Sequence, residues 1–222
     1  YSLFNEREDI WCERVFAPDS DMEELMRKNN IPLFGLESHD SLKDFDAVGF
    51  TLQYELSFSN VLNMLDLAGI PVRSENRGDS LKDNPIIVAG GPCVVNPEPL
   101  ADFIDCFQIG EGEEMMIDFL DLLNEYKKKN ASRKEFLIAA SHIEGIYVPA
   151  LYDVTYNADG TIKEFTANDG APKVINKRVV SDLDNIYYPE NFVVPFVEVV
   201  HDRVVHEIFR GCIRGCRFCQ AG

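Results

Sequence analysis

The sequence has little positive charge and no long apolar run. Its 21 lysine and arginine residues are outnumbered by 38 aspartate and glutamate residues, which gives a formal net charge of −17. A nucleic-acid backbone is bound by a basic face, so this acidity argues against nucleic acid as a direct partner. No apolar run reaches the roughly 18–20 residues that a membrane helix needs, and the first residues do not resemble a signal peptide. We therefore expect a cytoplasmic protein without a membrane partner.

Several motifs of common enzyme classes are also missing. The sequence contains neither G-x-G-x-x-G nor a phosphate-binding P-loop, and no Ser-His-Asp or Cys-His nucleophile set can be assembled. Six cysteines are present, but a disulfide framework is typical of short secreted chains. Cys12, Cys93 and Cys106 lie within apolar, strand-like runs, so we expect them to be reduced and two of them to be partly buried.

Strand-like and helix-like segments alternate at short spacing through residues 10–141. Short apolar runs predict strands, and apolar residues repeated every three or four positions predict helices. Such alternation is built from right-handed βαβ crossovers, so it predicts a doubly wound α/β domain with a parallel sheet. The predicted strands are 10–16, 47–52, 85–89 and 106–109, and the predicted helices are 21–30, 57–68, 97–103, 115–129 and 133–141.

Glycines closely follow two of the predicted strands, as Gly90-Gly91 and as the pair Gly110 and Gly112. In open α/β sheets a ligand binds at the carboxyl ends of the strands, which makes these loops candidate binding sites. The alternative is that the glycines only permit tight turns from strand to helix. The sequence leaves both interpretations open.

Beyond residue 144 the alternation gives way to extended segments. Strand-like residues 152–156 and 161–166 flank an Asn-Ala-Asp-Gly sequence that is typical of a hairpin turn. An extended run at 173–180, a polar linker at 181–191 and strands at 192–200 and 203–209 follow. We therefore predict three regions: an α/β domain over 1–144, a β-hairpin and linker over 145–191, and the start of a second domain over 192–222.

Two clusters of polar residues are weaker candidates. One consists of Glu111, Glu113 and Glu114, and the other consists of His201, Asp202, His206 and Glu207. The first could form a carboxylate pair, but acids at a helix start are the favoured interpretation. The second could form a metal or acid–base site, but a strand edge followed by a solvated turn is favoured.

The most informative stretch is the cysteine loop at 210–222, where Cys212, Cys216 and Cys219 have C-x3-C-x2-C spacing. Zinc sites usually have four protein ligands, and their cysteines come as two C-x2-C pairs, so a zinc-stabilised structural domain is the weaker alternative. A 4Fe–4S cluster fits better, because cysteine can bind three irons while the fourth accepts another ligand. Gly211 and Gly215 would let the backbone wrap closely around such a cluster.

With the aromatic Phe218 just before the third cysteine, this loop resembles the signature of the radical S-adenosylmethionine superfamily. The resemblance implies that the preceding strand is the first of a partial (β/α)6 barrel. It implies that Cys212, Cys216 and Cys219 ligate the cluster and that Phe218 lies near the adenine of S-adenosylmethionine.

The same resemblance implies an enzyme. The open iron would bind S-adenosylmethionine, and one electron from a donor such as flavodoxin or ferredoxin would cleave it to a 5′-deoxyadenosyl radical. The radical would then abstract hydrogen from a substrate that the sequence does not identify. On this interpretation the chain is a fragment that ends at its own active site, and the fragment alone should be inactive.

A second resemblance rests on the loops at 90–92 and 109–113. They are similar to the N-terminal, flavodoxin-like, cobalamin-binding-type domain of an uncharacterised branch of the superfamily. This implies that Gly90, Gly91, Gly110 and Gly112 lie near the nucleotide tail of cobalamin, and that the first strand of the domain precedes residue 1. The D-x-H-x-x-G motif that supplies a histidine ligand is missing. A domain whose main function is to bind cobalamin and a domain that is only a scaffold both remain alternatives.

Overall fold

The computed structural model describes residues 1–200 and 203–219 and divides the chain into two compact units, Tyr1–Val180 and Ser181–Gly222. The helices are α1 (Ser2–Asn5), α2 (Ser20–Asn29), α3 (Phe58–Leu67), α4 (Gly112–Lys128) and α5 (Arg133–Ala140). The strands are β1 (Ala47–Thr51), β2 (Ile86–Gly90), β3 (Cys106–Gln108), β4 (Ile146–Tyr147), β5 (Tyr152–Tyr156) and β6 (Ile162–Ala167). Within the described ranges, no helix combines the length and apolar character needed to cross a membrane.

Four strands form the central sheet of the first unit, in the order β1-β2-β3-β4. The first three are parallel, with Val48 opposite Ile87 and Val88 opposite Cys106. Residues 86–89 of β2 are all buried, as expected for a parallel strand in the middle of a sheet. The predictions of these three strands and of a mixed α/β fold are therefore confirmed.

The fourth strand adds an antiparallel edge to the predicted parallel sheet, from residues that the sequence analysis assigned to the hairpin and linker region. β4 runs antiparallel to β3, with Phe107 opposite Tyr147. Two helices, α4 and α5, lie between β3 and β4, so the chain makes three connections, and a reversal of direction at each of them leaves β4 antiparallel to β3. Among the strands that the structure describes, the order follows the sequence without a reversal. A doubly wound, flavodoxin-like arrangement is therefore not seen in this part of the chain.

Two predicted elements of this unit are wrong. Residues 10–16 do not pair as a strand, because the Asn5 amide bonds the backbone N–H and carbonyl of Cys12 and the Arg14 carbonyl accepts from the Leu36 N–H. The helix predicted over 97–103 is only a 3-10 turn at Glu98–Leu100. Its hydrogen bonds have 3-10 spacing, since the Leu100 N–H donates to the Pro97 carbonyl and the Ala101 N–H donates to the Glu98 carbonyl.

The four longer helices lie close to their predicted positions because their apolar stripes face the core. On α4 these residues are Met115, Phe119 and Leu123. Phe119 meets Phe136 of α5 edge to face, with 5.4 Å between ring centroids. A capping box between Ser132 and Glu135 fixes the start of α5.

A buried ion cluster joins the amino ends of β2 and β3. The Asp105 carboxylate lies 2.9 Å from Nη1 of Arg77 and 3.5 Å from Nη2 of Arg133, and it accepts a 2.7 Å hydrogen bond from the Ile87 N–H. The three charged side chains are at most 6% exposed. Burial lowers the pKa of the Arg77 guanidinium, and the charge of Asp105 opposes that shift. The sequence analysis missed this cluster.

The predicted hairpin is confirmed as β5 and β6. Its turn is closed by a 2.8 Å hydrogen bond from the Asn157 N–H to the Thr161 carbonyl, and Tyr152 stacks on Phe165 across the strands. The compact first unit includes this hairpin and extends to Val180. In the extended run at 173–180, Arg178 forms a parallel bridge with Gly110 at the end of β3.

The second unit is organised around Tyr188 in its described residues. The Tyr188 ring stacks on His206 and meets Phe192 edge to face. The strands predicted over 192–200 and 203–209 are wrong for this described portion, because a strand needs a neighbouring strand to complete its backbone hydrogen bonds and these segments pair with none. The barrel start that rested on them is thus not seen here.

Candidate functional site

The three cysteines of the predicted cluster site lie in an exposed loop of the second unit. Cys212, Cys216 and Cys219 are all exposed, and the Cys219 N–H donates to the Cys216 carbonyl at 3.1 Å. Gly211 and Gly215 have φ values of 77° and 60°, a region in which glycine is favoured.

Within residues 1–200 and 203–219, no three cysteine, histidine or acidic side chains are close enough together to hold a metal ion. The three thiols are therefore not gathered into a site in this structure. The donor set still suits an iron–sulfur cluster, because three thiols within eight residues lie on a loop that turns at two glycines. Phe218 is 93% exposed in the same loop.

The polar cluster before this loop does not form one site among the described residues. His206 stacks on Tyr188, and Glu207 makes a bidentate ion pair with Arg210 at 2.8 and 2.9 Å. That pairing lowers the pKa of the Glu207 carboxyl. His201 and Asp202 lie outside the described residues, so the remainder of the prediction stays a prediction.

The acids at the start of α4 form a docking point for a downstream segment. The Arg178 guanidinium lies 2.9 Å from Glu114, 3.6 Å from Asp118 and 3.9 Å from Glu144. The Glu111 carboxylate accepts a hydrogen bond from the Val180 N–H. These contacts agree with helix-start acids, the interpretation that the sequence favoured.

An open groove of about 780 Å³ runs along β1 and reaches the carboxyl ends of β2 and β3. It is lined by β1, the ends of β2 and β3, α4 and the segment before Val15. All four glycines predicted to contact a cofactor line this groove, namely Gly90, Gly91, Gly110 and Gly112. The sheet thus brings together two loops that are some twenty residues apart in the sequence.

The four glycines are there for two different reasons. Gly91 has a φ of 102°, and a Cβ there would lie 2.8 Å from the Leu52 carbonyl oxygen. Gly110 has a φ of 119°, and a Cβ there would collide with the Arg178 backbone. Gly90 and Gly112 have no such strain, and a Cβ on either would meet nothing closer than 3.5 Å. Backbone packing explains the first pair only.

Sequence reasoning missed Gln108, which lies at the end of β3 between these glycines. Its side chain is almost completely buried, since the residue is only 8% exposed. The residue also lines the groove. A polar residue inside a short apolar strand, two positions before Gly110, was the available signal.

The scattered cysteines are unsuited to nucleophilic chemistry. Cys93 and Cys106 are buried and Cys12 is half-buried, so the predicted burial of two of them is confirmed, and all three are free thiols in this structure. Burial raises the pKa of the Cys12 thiol and raises that of Cys106 further. A thiol with a raised pKa contains little thiolate at neutral pH, so it is a poor nucleophile.

Comparison with known proteins places the chain in a family. The model for "Radical SAM proteins, N-terminal" matches residues 1–149, and the chain belongs to this family. The chain is 30% identical over 201 residues to the uncharacterized protein MJ0966 of Methanocaldococcus jannaschii. That alignment covers 88% of the chain but 34% of the relative, so the chain spans about a third of that protein's length. No solved structure matches the chain.

The family confirms the predicted membership of the radical S-adenosylmethionine superfamily. The matched residues end before the cysteine loop. The cluster ligands and the cobalamin-binding function therefore stay predictions.

Proposed function

We propose that this chain belongs to a radical S-adenosylmethionine enzyme in which Cys212, Cys216 and Cys219 bind a 4Fe–4S cluster. Family membership over residues 1–149 is the observation that carries the proposal. It is supported by three exposed cysteines at C-x3-C-x2-C spacing in one described loop. A cluster held there would supply the electron that cleaves S-adenosylmethionine to a 5′-deoxyadenosyl radical.

The residues of the cysteine loop would have different roles in binding such a cluster. The three thiolates would each bind one iron, and the turns at Gly211 and Gly215 would bring the backbone close to the sulfurs. Arg214 and Arg217 would offset part of the negative charge of the thiolates. Phe218 would provide an apolar surface for the adenine. A donor of the flavodoxin or ferredoxin type would supply the electron.

The test measures 5′-deoxyadenosine. Protein expressed from its complete gene is reconstituted anaerobically with iron and sulfide, then given S-adenosylmethionine and a strong reductant. We expect 5′-deoxyadenosine from the wild type and from Cys93→Ala, and none from Cys216→Ala, because only Cys216 lies in the loop. Bound zinc without sulfide, together with no 5′-deoxyadenosine, would contradict the proposal and favour a structural zinc domain.

A second candidate function is the binding of cobalamin in the groove of the first unit. The observation that favours it is that Gly90, Gly91, Gly110 and Gly112 line one groove that reaches the carboxyl ends of parallel strands. Hydroxocobalamin should then co-elute with the protein and show a corrinoid absorption spectrum. A protein that elutes colourless would contradict this candidate. That result would leave the cluster proposal standing, because the two tests involve different residues.

A further inference from the structure

The groove is lined by Gln108, an almost completely buried residue whose side-chain amide has no adequate partner among the described residues. The Nε2 atom of Gln108 contacts the sulfur of Met116, and a thioether is only a weak acceptor. Across the described residues, the Oε1 atom of Gln108 accepts no hydrogen bond. Oε1 is not one of the fully enclosed, unpaired polar atoms of the described residues, so it can be reached from the groove. The rest of the residue is buried, so a polar group held at this position offers a ready hydrogen-bonding partner to a ligand.

Two glycines keep the space beside this amide open. The Oε1 atom of Gln108 lies 3.5 Å from where a Cβ on Gly90 would be and 4.0 Å from where a Cβ on Gly112 would be. Neither glycine has a positive φ. Gly112 is also the first residue of α4, where alanine would favour the helix more. Backbone conformation therefore explains neither glycine, whereas access to the Gln108 amide explains both.

The charges of the groove limit what can bind beside Gln108. Five carboxylates and two cations line it: Asp9, Glu13, Asp44, Asp46, Asp121, Arg14 and Lys127. The cations already have partners, since Lys127 pairs with Asp46 and Arg14 pairs with Glu37. A phosphate would meet an excess of negative charge here, so a neutral ligand is favoured.

We propose that Gln108 anchors a neutral ligand in this groove through a hydrogen-bonding edge that carries an N–H donor beside an acceptor. A side-chain amide pairs with such an edge because it offers both an acceptor and a donor in one plane. A nucleobase and a primary carboxamide share this chemistry. This inference shares one assumption with the proposed binding of cobalamin, namely that the groove is a ligand site. It does not require the ligand to be a corrinoid.

The experiment titrates three probes into the full 222-residue chain and follows the side-chain amide signals of Gln108 by ¹H–¹⁵N NMR. Adenosine presents a nucleobase, dicyanocobinamide presents carboxamides without a nucleobase, and adenosine monophosphate adds a phosphate to the first. We expect one of the two neutral probes to shift the Gln108 signals, and adenosine monophosphate to bind no more tightly than adenosine. The neutral probe that binds identifies the source of the edge.

Two variants separate binding from folding. Gln108→Leu should weaken binding about ten- to a hundredfold, as expected for the loss of both hydrogen bonds of the amide, without lowering the melting temperature. A purely structural Gln108 would instead lower the melting temperature when replaced. Gly90→Ala should weaken binding at unchanged stability, because its methyl group covers Oε1. Gln53→Leu is the matched control, since Gln53 is exposed and does not line the groove.

Three results would overturn the inference: no shift with either neutral probe, unchanged binding in Gln108→Leu, or tighter binding of adenosine monophosphate than of adenosine. Failure of hydroxocobalamin to bind would not do so. That failure removes the corrinoid candidate, whereas adenosine can still bind through Gln108. The two proposals therefore fail in distinguishable ways.

Discussion

Replacing Asp105 by asparagine should remove a large share of the stability of the first unit. The Asp105 carboxylate is 2% exposed and is the counter-ion of two buried guanidinium groups, those of Arg77 and Arg133. Arg77 also donates to the backbone carbonyls of Pro71 and Val72, so its charged group is held in place from several sides. Asparagine keeps the shape of the side chain but removes its charge.

The expected loss of stability follows from the two buried arginine charges that Asp105→Asn leaves without a counter-ion. Removing one partner of a buried ion pair costs about 3–5 kcal/mol, because the remaining charge is buried without a counter-ion. The asparagine oxygen can still accept the 2.7 Å hydrogen bond from the Ile87 N–H, so we expect the lower end, about 3 kcal/mol. Domains of this kind are stable by about 5–15 kcal/mol in total. The melting temperature should fall by about 6–12 °C at 2–4 °C per kcal/mol.

Urea unfolding followed by circular dichroism measures this loss directly. The matched control is Asp66→Asn, since the Asp66 carboxylate pairs with Arg27 at a similar 2.8 Å but is 59% exposed. An exposed pair contributes about 0–1 kcal/mol, so the control should change little. The reasoning is refuted if Asp105→Asn costs no more than Asp66→Asn at an unchanged denaturant slope.

Two further predictions concern the backbone and pH. Gly110→Ala should cost about 3 kcal/mol, because a positive φ and a collision with the Arg178 backbone act together. The control is Gly160→Ala, since Gly160 has a φ of 84° but open space around it, and it should cost about 1 kcal/mol. If urea unfolding shows the same loss of stability for both variants, the collision with the Arg178 backbone contributes nothing. Hydrogen bonds from Ser132 lower the pKa of Glu135 below its usual 4.5. Ionised Glu135 therefore stabilises the fold above pH 4.5, and this contribution is lost as the pH falls through the folded-state pKa. Glu135→Gln should therefore flatten the loss of stability in acid, and an unchanged melting temperature profile from pH 5 to about 3 would contradict this.

The sequence predicted elements whose cause is local. The apolar stripe of α4 and the buried run of β2 are visible in the sequence because each satisfies one periodicity along its own length. The segment at 10–16 has the same apolar character, yet Asn5 and Leu36 take its backbone groups. No local pattern indicates that competition. The place of β4 in the sheet was missed for a similar reason, since its two residues pair with β3 only after two intervening helices.

Buried polar residues were the least predictable features. Arginine and aspartate are mostly exposed in proteins, so Arg77 and Asp105 look like surface residues in the sequence. Their burial follows from three segments that meet at the amino ends of β2 and β3. Gln108 was missed on the same grounds. The side chains that carry the most unusual energetics in this fold are thus the ones that a hydropathy pattern assigns to solvent.

The four glycines of the groove show how the structure decides between two interpretations that the sequence left open. The sequence could not decide whether a glycine after a strand permits a turn or makes room for a ligand. The φ angle and the neighbours of a hypothetical Cβ decide it position by position: Gly91 and Gly110 are required by the backbone, whereas Gly90 and Gly112 are not. Substitutions of the first pair should therefore lower stability with or without a ligand. Substitutions of the second pair should lower only the affinity for whatever binds at Gln108, which makes these two glycines the sharper probes of the groove.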